Sequence, residues 1–354
     1  MLHYLKEKIL ATPSKMITYA DFIGEALYHP EWGYYMKQGE KVGRKGDFIT
    51  TSNISDIYGR LLSKWFLRLQ EELNLPPYFC EIGAGNGRFA AAFIDEWKKN
   101  CDEPLFYFIV EESPYHRELQ KEIIQFDSNI KQVESLESIS SFSGVIFSNE
   151  LFDALPVHVI EKKSGTLMEV MISYEKDALA EKLVPLDNEE IKRYLTDNQM
   201  DILDDQRIEI PLSMVDMLKR ISNVLEQGIV VTVDYGYSNE EWLEPIHRDG
   251  SLRGYYKHQQ LNNVLENPGD MDITSHIHLD ALRTYGEKFH LNFVSQQRQD
   301  EFLISIGILK ELEDHYDPNP FSEVSKRNRS IRSLILPSGM SSYFHVVIQK
   351  KGLK

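Results

Sequence analysis

A short apolar run, Tyr78-Phe79-Cys80, leads into Glu81-Ile82-Gly83-Ala84-Gly85-Asn86-Gly87-Arg88-Phe89-Ala90. That stretch runs on into Ala91-Ala92-Phe93-Ile94, which reads as the first turns of a helix. Glycines at alternate positions between a strand and a helix leave few folds open. They let a ligand approach bare backbone at the carboxyl edge of a parallel sheet. In the dinucleotide fingerprint, Gly-x-Gly-x-x-Gly, the helix N-terminus receives a pyrophosphate. Here the spacing is Gly-x-Gly-x-Gly behind an acid. This suits a ligand with an ammonium, a carboxylate and a sulfonium but no phosphate, which is S-adenosylmethionine. A lone glycine pattern is a weak signal, and a nicotinamide cofactor stays open on this stretch alone.

Two further strand ends follow. Leu105-Phe106-Tyr107-Phe108-Ile109-Val110 is a continuous apolar run, as expected of a parallel strand buried on both faces, and it ends in Glu111-Glu112. An acid about two dozen residues past the glycines can accept both ribose hydroxyls of an adenosine. The alternative is that Glu111 caps a helix starting at Ser113-Pro114. Gly144-Val145-Ile146-Phe147 then ends in Ser148-Asn149-Glu150-Leu151-Phe152-Asp153. In a doubly wound sheet this delivers Asn149, Glu150 and Asp153 to the ligand crevice. The alternative is a surface loop with a helix cap.

Motifs along nearly the whole chain carry a resemblance. They include Ala26-Leu27-Tyr28-His29-Pro30 with Gly33-Tyr34-Tyr35, and Gly46-Asp47-Phe48-Ile49-Thr50. They continue through the glycine loop and Asn149-Glu150-x-Phe152-Asp153-Ala154-x-Pro156. Then come Val233-Asp234-Tyr235-Gly236, Gly254-Tyr255-Tyr256-x-His258, Pro268-Gly269, Asp272-Ile273-Thr274-Ser275-His276, and Phe302-Leu303 with Gly307-Ile308. In this order they resemble the MidA-like methyltransferase family, whose mitochondrial members act in assembly of respiratory complex I. The resemblance implies an α/β, class I (Rossmann-like) fold, S-adenosylmethionine as cofactor, and methylation of a protein. A mitochondrial relative acts on arginine. The expected cofactor contacts are Glu81, Gly83, Gly85, Gly87, Glu111, Ser135 and Asn149, with Phe48 and Thr50 on a loop that closes over the site. Where the family has Ser-Pro-Glu after Asp-Phe-Ile-Thr, this chain has Thr51-Ser52-Asn53. No substrate role for a carboxylate at position 53 carries over.

The division expected is an N-terminal helical cap with the cofactor-covering loop over 1–75 and the first half of the core over 76–156. An antiparallel insertion occupies 157–210, with a hairpin about Ser164-Gly165. The core resumes over 211–236. A polar excursion rich in Gly, His and Tyr spans 237–285, and 286–354 ends the core. A segment of the excursion's length is usually functional when ordered.

Acids outnumber bases 55 to 39, for a formal charge of −16, which argues against nucleic acid as a partner. An acidic surface suits a basic peptide or an arginine side chain. No run approaches the roughly 18 apolar residues of a membrane helix. Cys80 and Cys101 make no disulfide framework and no zinc set, and a reducing cytoplasm is the simplest home. His276 and His278 stand on one face of a strand without the acid or thiol partners a metal needs, so no metal is expected.

Methyl transfer from a sulfonium is an in-line displacement, in which positioning supplies much of the catalysis. An arginine acceptor is planar and practically never deprotonated in water. A bidentate carboxylate could orient it. Glu150 is the first candidate and Asp153 the second. Asn149 could instead steer an amide, and His258 could act as a base or bond to backbone as a structural residue. The rivals are an assembly factor that holds the cofactor without turnover, a nicotinamide-dependent oxidoreductase, and a methyltransferase for small molecules or nucleic acid. The substrate and the oligomeric state are not legible.

Overall fold

The computed structural model describes residues 1–39, 56–312, 318–336 and 343–353. The chain forms two compact units. The N-terminal unit takes in the described residues of Met1–Lys41, Phe152–Lys219 and Gly236–Lys288. The glycine-loop unit takes in those of Val42–Leu151, Arg220–Tyr235 and Phe289–Lys354. The helices Leu2–Ala11 and Tyr19–Tyr28 thus belong to the first unit and the helix Ile57–Leu73 to the second.

In the glycine-loop unit the sheet runs in the order Ile130–Val133, Phe106–Val110, Tyr78–Ile82, Phe142–Asn149, Leu225–Tyr237, Phe344–Lys351, Asn292–Arg298. The first five are parallel, and Phe344–Lys351 is antiparallel to both its neighbours. This is the expected Rossmann-like order. The connections turn in opposite directions from Tyr78–Ile82 and Phe142–Asn149, so the topological switch lies at the carboxyl ends of those two strands.

Alternation along the strands sends Phe79, Tyr107, Ile109, Val145, Phe147, Val231 and Val233 into one apolar cluster. There they meet Phe66 of the helix Ile57–Leu73, and Phe89, Phe93 and Trp97 of the helix Arg88–Asn100. The other face differs from expectation. Phe106 and Phe108 are only half-buried, in an aromatic layer where Tyr78 stacks on Phe106 at 4.4 Å between centroids.

The N-terminal unit is built on the inserted antiparallel sheet. The hairpin strands His158–Lys163 and Thr166–Glu175 flank Ser164 and Gly165, both left-handed at φ 48° and 79°. Arg207–Ile210, Ala178–Pro185 and the two-residue strand Ile17–Thr18 complete the sheet. Thr18 also caps the helix Tyr19–Tyr28 in a capping box with Asp21. Leu5, Ile9, Phe22, Ile23 and Leu27 from the two helices bury against Val159, Val170 and Ile172.

The excursion is less polar than its composition suggests. Leu252, Val264, Met271 and Ile273 enter the same core. A small sheet of Gln259–Leu261, Arg253–Tyr256 and Asp272–Thr274 orders it. Among the described residues no helix is long and apolar enough to cross a membrane.

Candidate functional site

The strand Tyr78–Ile82 ends at Gly83, and the helix Arg88–Asn100 begins after Gly87. Gly83, Gly85 and Gly87 all stand in the left-handed region, at φ 74°, 53° and 79°. Their reasons differ. A Cβ on Gly87 would lie 2.7 Å from Cγ of Gln120, so packing beneath the loop demands glycine there. A Cβ on Gly85 would meet nothing within 4 Å among the described residues, which leaves its outer face open to a ligand there.

The Gly85 peptide is held from both sides. Its N–H donates to Oε2 of Glu111 at 2.8 Å, and its carbonyl accepts from Nε2 of Gln120 at 2.7 Å. Glu111, at the end of the second strand, also accepts the N–H of Ser113 at 2.9 Å on its other oxygen. Nδ1 of His116 lies 3.8 Å from that oxygen. Ser113 caps the helix Pro114–Ile123, so the cap expected here is made by Ser113 rather than by Glu111. Two backbone N–H groups thus fix the Glu111 carboxylate, and its remaining lone pairs can take hydroxyls.

Glu81 is placed differently from a loop ligand. Its side chain is buried and accepts from the Tyr107 hydroxyl at 2.6 Å, on the face that carries the aromatic cluster. Burial pushes its carboxyl up to about 8; the Tyr107 hydrogen bond opposes this and the Glu111 charge adds to it. Ser135 precedes the short helix Leu136–Ser138, its hydroxyl 3.3 Å from that of Ser138. Phe48, Thr50 and the Thr51-Ser52-Asn53 departure lie outside the described residues.

At the neighbouring strand end, Nδ2 of Asn149 donates to Oε1 of Glu150 at 3.0 Å, while its buried Oδ1 has no partner among the described residues. The N–H of Glu150 donates to the carbonyl of Val233 at 2.9 Å, and Glu150 itself is left-handed at φ 50°. A side chain in that conformation is held off the line of the strand at a local cost in strain, which is a frequent mark of a working site. Tyr58, wholly buried, carries a hydroxyl with no hydrogen-bond partner among the described residues, and burial with the Glu150 charge raises its pKa. Asp234 is fully buried inside the strand Leu225–Tyr237, opposite His345, and accepts the N–H of Tyr235 at 3.0 Å, so it caps no turn.

In the N-terminal unit Asp153 is buried, and its carbonyl accepts from the N–H of Ser275 at 2.9 Å. Near it, Oη of Tyr35 donates to Oδ1 of the buried Asp272 at 2.7 Å, and Tyr28 donates to the carbonyl of Ala154 at 3.0 Å. Burial first, and then the charges of Asp272 and Asp153, hold the Tyr35 hydroxyl far above its ordinary pKa. His258 stands with Lys257 in the exposed two-residue turn of a hairpin, both at positive φ. Backbone geometry is what that position demands. His278 is wholly buried beside Trp242, with ring centroids 4.8 Å apart. Among the described residues no group of three or more His, Cys, Asp or Glu could hold a metal.

Gln120, Tyr58 and Tyr107 escaped the reading of the sequence. Gln120 carried one signal, since it follows His116 by four residues on a helix and so shares its face.

The site therefore offers an open glycine face, a carboxylate fixed for hydroxyls, and an unpaired acceptor at the switch point. These fit an adenosine carrying a polar tail. A family model described as "Putative S-adenosyl-L-methionine-dependent methyltransferase" matches residues 61–295. The mitochondrial protein arginine methyltransferase NDUFAF7 of Rattus norvegicus is 27% identical, covering 98% of this chain and 83% of its own length. The Danio rerio protein of the same name is 25% identical over 97% and 85%. A crystal structure of a Burkholderia thailandensis protein bound to S-adenosyl-homocysteine superposes with a TM-score of 0.90 at 23% identity. The match covers 100% of this chain and 92% of that one.

Proposed function

The chain belongs to this family of S-adenosyl-L-methionine-dependent methyltransferases, and from that premise we propose that it methylates a protein at an arginine side chain. The observation that carries the cofactor half of this reading is the double anchoring of Glu111 beside the open face of Gly85. S-adenosylmethionine, when bound, supplies a methyl group on a sulfonium. The chain's own residues bind and orient. Glu111 would accept the ribose hydroxyls, the glycine peptides would line the ligand, and Oδ1 of Asn149 would accept an N–H from it.

Glu150 is the proposed catalytic residue. Paired with a guanidinium, its carboxylate holds the plane of the acceptor and draws positive charge toward the paired nitrogens. The bond from Asn149 fixes one of its oxygens. The names of the curated relatives support arginine as the acceptor.

The test has two stages. In calorimetric titration, S-adenosylhomocysteine binds and NADH does not. In a transfer assay with labelled cofactor and a cell extract, product hydrolysis yields methylated arginine. Glu150→Gln keeps the binding and lowers the transfer by about a hundredfold or more. Methylated lysine or a labelled small molecule as the sole product would sink the arginine reading. Binding without any transfer would favour an assembly factor that only holds the cofactor.

A further inference from the structure

We propose that Gln120, seated by Gln132, is a positioning residue that sets the glycine loop for the cofactor. The inference rests on the cofactor reading above. Gln120 has no exposed surface, and its amide is engaged on both atoms. Nε2 donates to the carbonyl of Gly85 at 2.7 Å, and Oε1 accepts from Nε2 of Gln132 at 2.7 Å. The same Gln132 nitrogen donates to the carbonyl of Arg117 at 3.0 Å. Gln132 lies in the strand Ile130–Val133, whose ladder to Phe106–Val110 holds it in place. A line of hydrogen bonds therefore runs from the third strand of the sheet, through one buried amide, to the glycine whose outer face is open.

Two features distinguish this clamp from ordinary core satisfaction. First, Gly85 is gripped at both its polar groups by side chains, Glu111 on the N–H and Gln120 on the carbonyl. Turning the peptide that follows Gly85 would break the carbonyl bond, and shifting Gly85 itself would disturb the carboxylate assigned to the ribose. Second, the side chain of Gln120 fills the space that a Cβ on Gly87 would need, at 2.7 Å. The same residue thus sets the loop by contact at one glycine and by hydrogen bond at another. A loop fixed before the ligand arrives spends less of its binding free energy on ordering.

Three variants test this, each read by titration with S-adenosylhomocysteine and by hydrogen exchange of the 83–87 amides in unliganded protein. Gln120→Leu keeps the bulk and removes the donor. It weakens affinity by about tenfold and speeds exchange across the loop. Gln132→Leu removes only the seat and gives a smaller change in the same direction.

Gln120→Glu places an ionisable oxygen against the Gly85 carbonyl. Ionised, it repels; protonated, it donates. Its affinity relative to the wild type therefore recovers as pH is lowered. Glu81, Glu111 and His116 lie near the clamp in both proteins, so each variant's affinity is read against the wild type at the same pH. A residue that only filled the core would give folded variants with wild-type affinity, unchanged loop exchange and no recovery with pH. That result overturns the proposal while leaving the cofactor assignment intact. Absence of binding by the wild type overturns both.

Discussion

Gly85 and Tyr58 show how one residue can be read by what its neighbours leave vacant. At Gly85 the backbone is left-handed and no described residue fills the space above the missing Cβ. Gly85→Val meets two costs: strain of about 1–3 kcal/mol at that φ, and an isopropyl group standing where the ligand must lie. A folded Gly85→Val protein is expected to lose S-adenosylhomocysteine binding in calorimetry. Retained affinity would remove the cofactor from this loop. Tyr58 poses the reverse case, a buried hydroxyl with no partner among the described residues. Such a group destabilises the fold unless a ligand or an ordered water meets it. Tyr58→Phe should therefore melt at the same temperature as the wild type or higher. Affinity for the cofactor product, or the rate of transfer, should fall by about tenfold if the hydroxyl serves the site. A higher melting temperature with an unaltered site would mark the hydroxyl as an uncompensated core defect. The glycines and Glu111 were legible in the sequence because their place in a strand-turn-helix pattern dictates what they can touch. Tyr58 and Gln120 were not, because their meaning lies in burial and in partners that no local pattern encodes.

At the level of elements, backbone crowding demands glycine near the starts of two parallel strands, far from the crevice. Gly144 stands near the start of the strand Phe142–Asn149 at φ 156°, where a Cβ would come within 2.2 Å of the Tyr78 carbonyl oxygen. On its other side Gly228 pairs with it, and a Cβ on Gly228 would lie 1.8 Å from the Gly144 carbonyl oxygen. Backbone cannot yield as a flexible side chain can. Gly144→Ala should cost about 1–3 kcal/mol in urea unfolding, as overpacking does. The site lies at the opposite end of these strands, so affinity in the folded variant should change by less than about twofold. A large loss of affinity would mean that strain travels the length of the strand. Turn chemistry made the hairpin about Ser164 and Gly165 legible. The two-residue strand Ile17–Thr18 was not, since its register with Ile172 and Met171 is set by partners far along the chain. The run Leu105–Val110 misled in one respect. Continuous apolarity reads as burial on both faces, yet an aromatic layer half-exposed to solvent satisfies the same pattern.

Across the molecule, composition said least. The order of motifs announced the doubly wound sheet, but not that the N-terminal helices join the inserted sheet in one compact unit, because that grouping rests on contacts between distant segments. The excess of acids is likewise silent on stability, which a few buried groups govern. Burial holds His276 near 4, helped by His247 and Arg253, and it holds His278 near 3. In the unfolded chain both titrate near 6.5. As pH falls below that value the unfolded state takes up protons that the N-terminal unit refuses, and that unit loses stability down to about pH 4 through His276 and about pH 3 through His278. Glu81 acts in the opposite direction in the glycine-loop unit. Native Glu81 keeps its proton to about 8, whereas the unfolded carboxyl releases it near 4.5. The folded state then binds more protons across that window, so stability declines as pH rises through it and levels off above. With two histidines opposing one carboxyl below pH 6.5, and Glu81 alone acting above, the summed contribution peaks near neutrality on the acid side. Urea midpoints followed from about pH 4 to 9 should show both limbs. Glu81→Gln, which can still accept from Tyr107, should flatten the alkaline limb and leave the acid one. His278→Leu should reduce the acid limb alone. An alkaline decline that persists in Glu81→Gln would mean that Glu81 is ionised in its pocket, and that some other group releases the proton.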